Sequence, residues 1–306
     1  MKRKRYPIPE FDGDFVNIYC PAGDVYNGID TTGFRNSQYY EDWITNDFSV
    51  LKEGDLWHIV GITHPRPQGF VDGFDYNPSN IHEAEYQLFH CVAKGENFGD
   101  VFCKNSFADM DKILYPPQRP GEKPELWAPH LMKYEGKYNV IYSPQEMRRV
   151  VSCDFESWEQ VPVLFRCTDP AARDPFIYEE GGKFYCLYIE DRYLKYRVSD
   201  NMADWSEEKI LQEQFFANCH TESPFMLKRA GVYYLFWTIY DGRNGCYDNR
   251  TMVFAGESFE ELYSSAPVTM LRAHAPEIVM DPNGDSYLLS VFYPNNGISA
   301  VKLKWV

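Results

Sequence analysis

The chain has 306 residues, 44% of them hydrophobic and 17% aromatic, with 45 acidic against 30 basic side chains and a formal net charge of −15. That is enough apolar material for one large core, and a surface this acidic repels phosphate backbones and anionic lipid, which argues against nucleic-acid and membrane partners. Met1 to Arg5 is basic but no apolar run follows it, and no stretch is long enough for a membrane-spanning helix, so a cytoplasmic location is expected.

Residues 1–45 carry no strand-pair pattern and are taken as an arm that packs on the rest of the chain or helps to close it. From residue 46 to the C-terminus, residues 46–61, 128–143, 173–188, 222–237 and 275–290 read alike. Each has a polar start, a short apolar run, a Gly-containing turn and an aromatic-rich run, which is hairpin chemistry. The turn glycines Gly54, Gly136, Gly182, Gly231 and Gly284 are spaced by 82, 46, 49 and 53 residues. Such a period predicts an all-β, five-bladed β-propeller over 46–306, one blade per repeat. An irregular all-β domain is the alternative. The long first interval implies an insertion, and residues 65–87, with Pro65, Pro67, Gly69, Gly73 and Pro78, have loop composition. A second echo, Ser152 to Trp158 and Ser199 to Trp205, with a looser version from Ser258 to Leu262, predicts the turn closing the outer part of each blade. The eight cysteines show no CxxC pair and no metal-like spacing, which favours reduced thiols.

In a propeller the innermost strands line the axis, so residues at equivalent strand ends become neighbours on one rim. The polar starts supply Asp47, His130, Asp174 and Glu222, with His274 and Glu277 flanking the fifth. A single Asp or Glu at a strand entry is more often a turn-former; recurrence in three repeats reverses that expectation. Crowded, partly buried carboxyls cannot all ionise, so one stays protonated while another stays charged. This is the pairing that glycosidic cleavage needs.

Several of these segments resemble motifs of the five-bladed propeller glycosidases, the superfamily joining glycoside hydrolase families 43, 62, 32 and 68. Trp43-Ile44-Thr45-Asn46-Asp47-Phe48 resembles the first-blade motif carrying the base or nucleophile. Trp127-Ala128-Pro129-His130 is similar to the Trp-Ala-Pro-Asp motif of family 43. Arg173-Asp174-Pro175 is similar to the Arg-Asp-Pro of families 32 and 68, and Glu222-Ser223-Pro224 to the segment bearing the general acid. The resemblance implies Asp47 as base or nucleophile, Asp174 as the residue tuning the acid, and Glu222 as the acid. The chain departs from the pattern at His130, where family 43 has aspartate, and at Phe48, where proline is usual. In family 43 a fifth-blade histidine can approach an axial calcium. His274 is the matching residue, but calcium prefers oxygen ligands, so no cofactor is required and a structural calcium is the lesser expectation.

Trp43, Asn46, Trp127, His130, Arg173, Trp237 and His274 are the expected sugar contacts, with Tyr240 near them, because sugar faces stack on aromatic rings while hydroxyls take polar groups. Arg173 either orients Asp174 or meets a substrate hydroxyl. The reading is a hydrolase acting on furanosyl or xylosyl linkages of oligosaccharides. A non-catalytic carbohydrate-binding propeller is the second reading. A phosphorylase is the third, and the sequence shows no basic cluster at the rim for it.

Overall fold

The computed structural model describes residues 5–70, 84–115, 120–213, 220–240 and 249–306. Four strands open the chain: β1 (Pro9–Phe11), β2 (Val16–Tyr19), β3 (Asp24–Tyr26) and β4 (Gln38–Tyr40). Blade I follows as β5 (Trp43–Glu53), β6 (Leu56–Pro65), β7 (Leu88–Lys94) and β8 (Ala108–Ile113), with helix α1 (Phe98–Val101) between the last two. Blade II holds β9 (Trp127–Tyr134), β10 (Lys137–Ser143) and β11 (Glu146–Ser152), edged by the short β12 (Glu159–Gln160) and β13 (Phe165–Arg166). Blade III is β14 (Arg173–Glu180), β15 (Lys183–Glu190), β16 (Tyr193–Ser199) and β17 (Lys209–Glu213). Blade IV is β18 (His220–Arg229), β19 (Val232–Tyr240), β20 (Arg250–Gly256) and β21 (Thr269–Leu271), with α2 (Phe259–Ser264) before β21. Blade V takes β22 (His274–Met280), β23 (Ser286–Val291) and β24 (Ile298–Trp305). The inner strands β5, β9, β14, β18 and β22 each contact the next, and β22 returns to β5, so the ring of five is closed.

The expected hairpins form because their turns can. Gly54, Gly136, Gly182, Gly231 and Gly284 all take positive φ, 58° to 92°, a region closed to most side chains but open to glycine. The outer-turn echo is local hydrogen bonding. Ser152 Oγ accepts the N–H groups of Asp154 and Phe155, and Asp154 Oδ1 accepts those of Glu156 and Ser157. Ser199 and Asn201 repeat the device one blade on. In blade IV, Ser258 instead caps α2 through the Glu261 N–H.

The first 45 residues do more than lie against the propeller. β1 and β2 pair antiparallel with β24, Pro9 opposite Trp305 and Val16 opposite Ala300, so they form the outer edge of blade V. An N-terminal strand on a C-terminal blade joins the two ends of the ring with ladder hydrogen bonds. The β3–β4 hairpin packs beside blade I, where Tyr26 and Phe34 cluster with Trp43 and Ala84. Blade I also begins at Trp43 rather than at residue 46. Of the 65–87 insertion, Pro65, Pro67 and Gly69 are described, whereas Gly73 and Pro78 lie outside the described residues.

Candidate active site

Every inner strand is interrupted at one place. The pairing registers skip so that two inner-strand residues face one on the neighbour: Asn46-Asp47, Ala128-Pro129, Asp174-Pro175, Ser223-Pro224 and Ala275-Pro276. These are β-bulges, which bend a strand and re-aim its side chains. Proline suits the second position because it has no N–H to lose from the ladder. At the first position Ala128, Asp174, Ser223 and Ala275 have φ of 42°, 61°, 51° and 45°. Non-glycine residues in this region carry strain and tend to gather at functional sites. The freed amides are caught by the neighbourhood: Asp174 N–H donates to Ser143 Oγ, Ser223 N–H to Asp174 Oδ2 and Ala275 N–H to Thr238 Oγ1.

The bulge corrects one expectation. Asp47, His130, Asp174 and Glu222 do not occupy equivalent positions. Glu222 and His274 precede the bulge, as do Arg173 and Trp127; Asp174 is its first residue, matched by Asn46 in blade I. Asp47 is the second, where the other four blades have proline, and His130 and Glu277 come one step later. The three acids thus come from three successive levels.

Ser223 joins those levels. Its hydroxyl donates to Asp47 Oδ1 at 2.6 Å, its backbone N–H donates to Asp174 Oδ2 at 2.9 Å, and it directly follows Glu222. Arg173 Nε lies 3.5 Å from Asp174 Oδ2, and Arg173 Nη2 donates to the Thr221 carbonyl at 3.2 Å. His274 Nε2 stands 3.4 Å from Glu222 Oε1, without hydrogen-bond alignment. Asp174 and Glu222 are buried, at 3% and 8% exposure.

Burial and crowding set the proton affinities. Burial first, then the Asp174 charge, pushes Asp47 up to about 7, against the lowering effect of the Ser223 hydroxyl. Burial first, then the Asp47 charge, raises Glu222 well above the usual carboxyl range. Arg173 counteracts both shifts, and Glu85 adds to both. The two groups titrate as a pair, each holding the other above the ordinary carboxyl range. Burial alone pushes His130 down to about 3, so its imidazole is neutral around pH 7, and burial raises Glu277 well above the usual carboxyl range against a lowering hydrogen bond from the Val50 backbone.

The expected sugar contacts separate. Trp127 is half-buried at the rim position before its bulge, and its indole Nε1 has no hydrogen-bond partner among the described residues. Trp43 and Trp237, in contrast, are 2% and 0% exposed. Trp43 donates Nε1 to the Tyr40 carbonyl under the Lys112 ammonium, and Trp237 belongs to the largest apolar cluster. Neither offers a face to a ligand, because strand alternation turns both into the core. His130 packs at 4.8 Å on Phe176 and lines, with Asp47, Asp174, Ser223 and Glu277, an axial cavity of about 30 Å³. That is room for one water. The Tyr240 side chain lies outside the described residues.

Ser223 and Glu85 escaped the sequence reading. Counting back seven residues from each turn glycine reaches Asp47, Pro129, Pro175 and Pro224, and eight reaches Pro276. That regularity locates the bulge and hence Ser223. Nothing marks Glu85 within the loop-like stretch. A basic grouping was missed as well: burial, then the charges of Arg173 and Arg192, pushes the His220 imidazole below its usual value, so two guanidinium groups stand near a largely neutral imidazole. Among the described residues no group of three His, Cys, Asp or Glu side chains converges to hold a metal ion, and His274 Nε2 is directed at Glu222.

No protein-family model and no curated protein matches the chain. Solved structures do. A thermostable family-43 glycoside hydrolase is 14% identical with a TM-score of 0.57, over 86% of this chain and 89% of that one. An arabinanase of Bacillus subtilis is 16% identical with a TM-score of 0.58, over 86% and 94%. A GH32 β-fructofuranosidase of Bombyx mori is 12% identical with a TM-score of 0.58, over 86% of this chain and 59% of that one. The chain therefore has the five-bladed propeller fold found in GH43 and GH32 enzymes.

Proposed function

We propose that this five-bladed propeller, which shares its fold with GH43 and GH32 glycosidases, is itself a glycoside hydrolase acting on furanosyl or xylosyl linkages of oligosaccharides. The observation that carries the reading is the set of half-buried Asp47 with buried Asp174 and Glu222, tied through Ser223, in which Asp47 and Glu222 are both raised in proton affinity. Glu222, whose burial beside Asp47 favours its neutral form, protonates the departing glycosidic oxygen. Asp47, in its ionised form, either activates a water or attacks the anomeric carbon. Asp174 fixes the backbone that carries Glu222 by accepting the Ser223 N–H, and Arg173 balances the charge. Trp127 supplies the stacking face, while Asn46 and His274 take polar contacts.

The test is hydrolysis of a panel of nitrophenyl arabinofuranosides and xylosides together with sucrose, with NMR of the first-formed anomer to separate inversion from retention. Binding of these sugars without turnover would instead favour a carbohydrate-binding propeller. The nearness of the Arg173 and Arg192 guanidinium groups to His220 gives one specific observation in favour of a phosphorylase. The panel is therefore run with and without inorganic phosphate, and release of a sugar 1-phosphate is the result that selects that reading.

A further inference from the structure

Glu85 stands three residues before β7, and its carbonyl accepts the Leu126 N–H at 2.9 Å, which ties blade I to the entry of blade II. The residue is 2% exposed, and its Oε1 accepts from Asn46 Nδ2 at 2.8 Å. A carboxylate can only accept, so the Asn46 amide must present its NH2 to Glu85 and turn its carbonyl oxygen the other way. That oxygen is buried and receives no hydrogen bond from the described residues. Buried polar atoms are nearly always paired, and an acceptor left open inside a site is completed by the ligand. Asn46 directly precedes Asp47 in the blade I bulge, at the position that Asp174 holds in blade III. The unpaired acceptor therefore belongs to the residue next to the group assigned as base.

We propose that Glu85 is a positioning residue, which holds Asn46 so that its Oδ1 receives a hydroxyl of the sugar bound at Asp47. The inference rests on the glycosidase reading and deepens it. Glu85 also contributes charge to the site. Glu222 is faced by Asp47 from β5, Arg173 and Asp174 from β14, His274 from β22 and Glu85 from the approach to β7, so removing one negative charge eases proton loss from both Glu222 and Asp47.

The experiment compares Glu85→Gln, Glu85→Ala, Asn46→Ala and the double Glu85→Ala/Asn46→Ala variant in the full chain, on the best substrate of the panel. Glu85→Gln keeps an acceptor but loses the charge, and both limbs of its pH–rate profile are expected to move to lower pH by roughly half a unit. Glu85→Ala and Asn46→Ala are each expected to raise KM about tenfold with a smaller change in kcat, the pattern of lost ground-state binding. The double variant is expected to be no worse than Asn46→Ala alone, because one side chain acts through the other. Should Glu85→Ala lose its circular dichroism spectrum, Glu85→Asp, which is too short for the contact, takes its place. KM effects that multiply in the double variant, an unchanged KM in Glu85→Ala, or limbs that stay put in Glu85→Gln would each overturn the inference. A wild type that cleaves nothing on the panel removes the functional reading and this inference together; one that cleaves while the variants behave otherwise removes the inference alone.

Discussion

Ser223→Ala removes the hydrogen bond that holds the Asp47 carboxyl down while leaving its surroundings in place. The backbone tolerates the change, because alanine already occupies the matching bulge position in blades II and V, at φ of 42° and 45° against 51° for Ser223. The Ser223 N–H to Asp174 is kept, so only the 2.6 Å contact from Oγ to Asp47 Oδ1 is lost. A hydrogen bond to a charged group contributes about 1.5–3 kcal/mol, but a protonated Asp47 can still accept from the serine, so the difference between the two protonation states is nearer the lower end. At about 1.36 kcal/mol per unit, Asp47 rises by roughly one unit. Its value is already about 7, and it must be ionised to act. The acidic limb of the kcat/KM profile should therefore move up by about one pH unit, with an approximately tenfold loss on the acid side and recovery at alkaline pH. The assay is a pH series of kcat/KM on an activated aryl glycoside from the panel. A limb that does not move, or one that moves down, refutes the assignment of Asp47 as the ionised partner.

Further outcomes follow from the same geometry. Glu222→Gln should lose cleavage of poor leaving groups while sparing activated aryl glycosides, which need no protonation; equal losses on both types, measured as kcat/KM, mean that the acid lies elsewhere. Trp127→Ala should raise KM with little change in melting temperature, whereas Trp237→Ala should cost about 3–5 kcal/mol in a denaturant titration, because one indole is at the rim and the other in the core. Asp47 is raised in the folded state, so the stability that its neutral form contributes is complete below about pH 4 and is lost as pH rises through about 7. Thermal melts of Asp47→Asn should accordingly fall less than the wild type across that window, and parallel curves contradict the shift.

The sequence by itself determined what local chemistry can determine. Glycines spaced at a blade period form their turns wherever they stand, because positive φ is a property of one residue and its neighbours. Ser152-Cys153-Asp154 and Ser199-Asp200-Asn201 fold their turns through contacts two and three residues away. The number of blades was legible for that reason, and the presence of Asp47, Asp174 and Glu222 near the strand entries followed from it. What their side chains meet was a tertiary matter. The bond from Ser223 to Asp47 spans 176 residues, and its strength depends on a one-residue skip in each strand. Trp43 and Trp237 sit close in sequence to the rim, yet strand alternation buries both rings. β1 and β2 carry too few residues to signal a strand, and become one only because β24, nearly 300 positions later, supplies the open edge. Glu85 has no periodic or motif signal at all; its place beside Asn46 exists only once β5 and the approach to β7 are folded into one blade, where a buried carboxylate must find a donor.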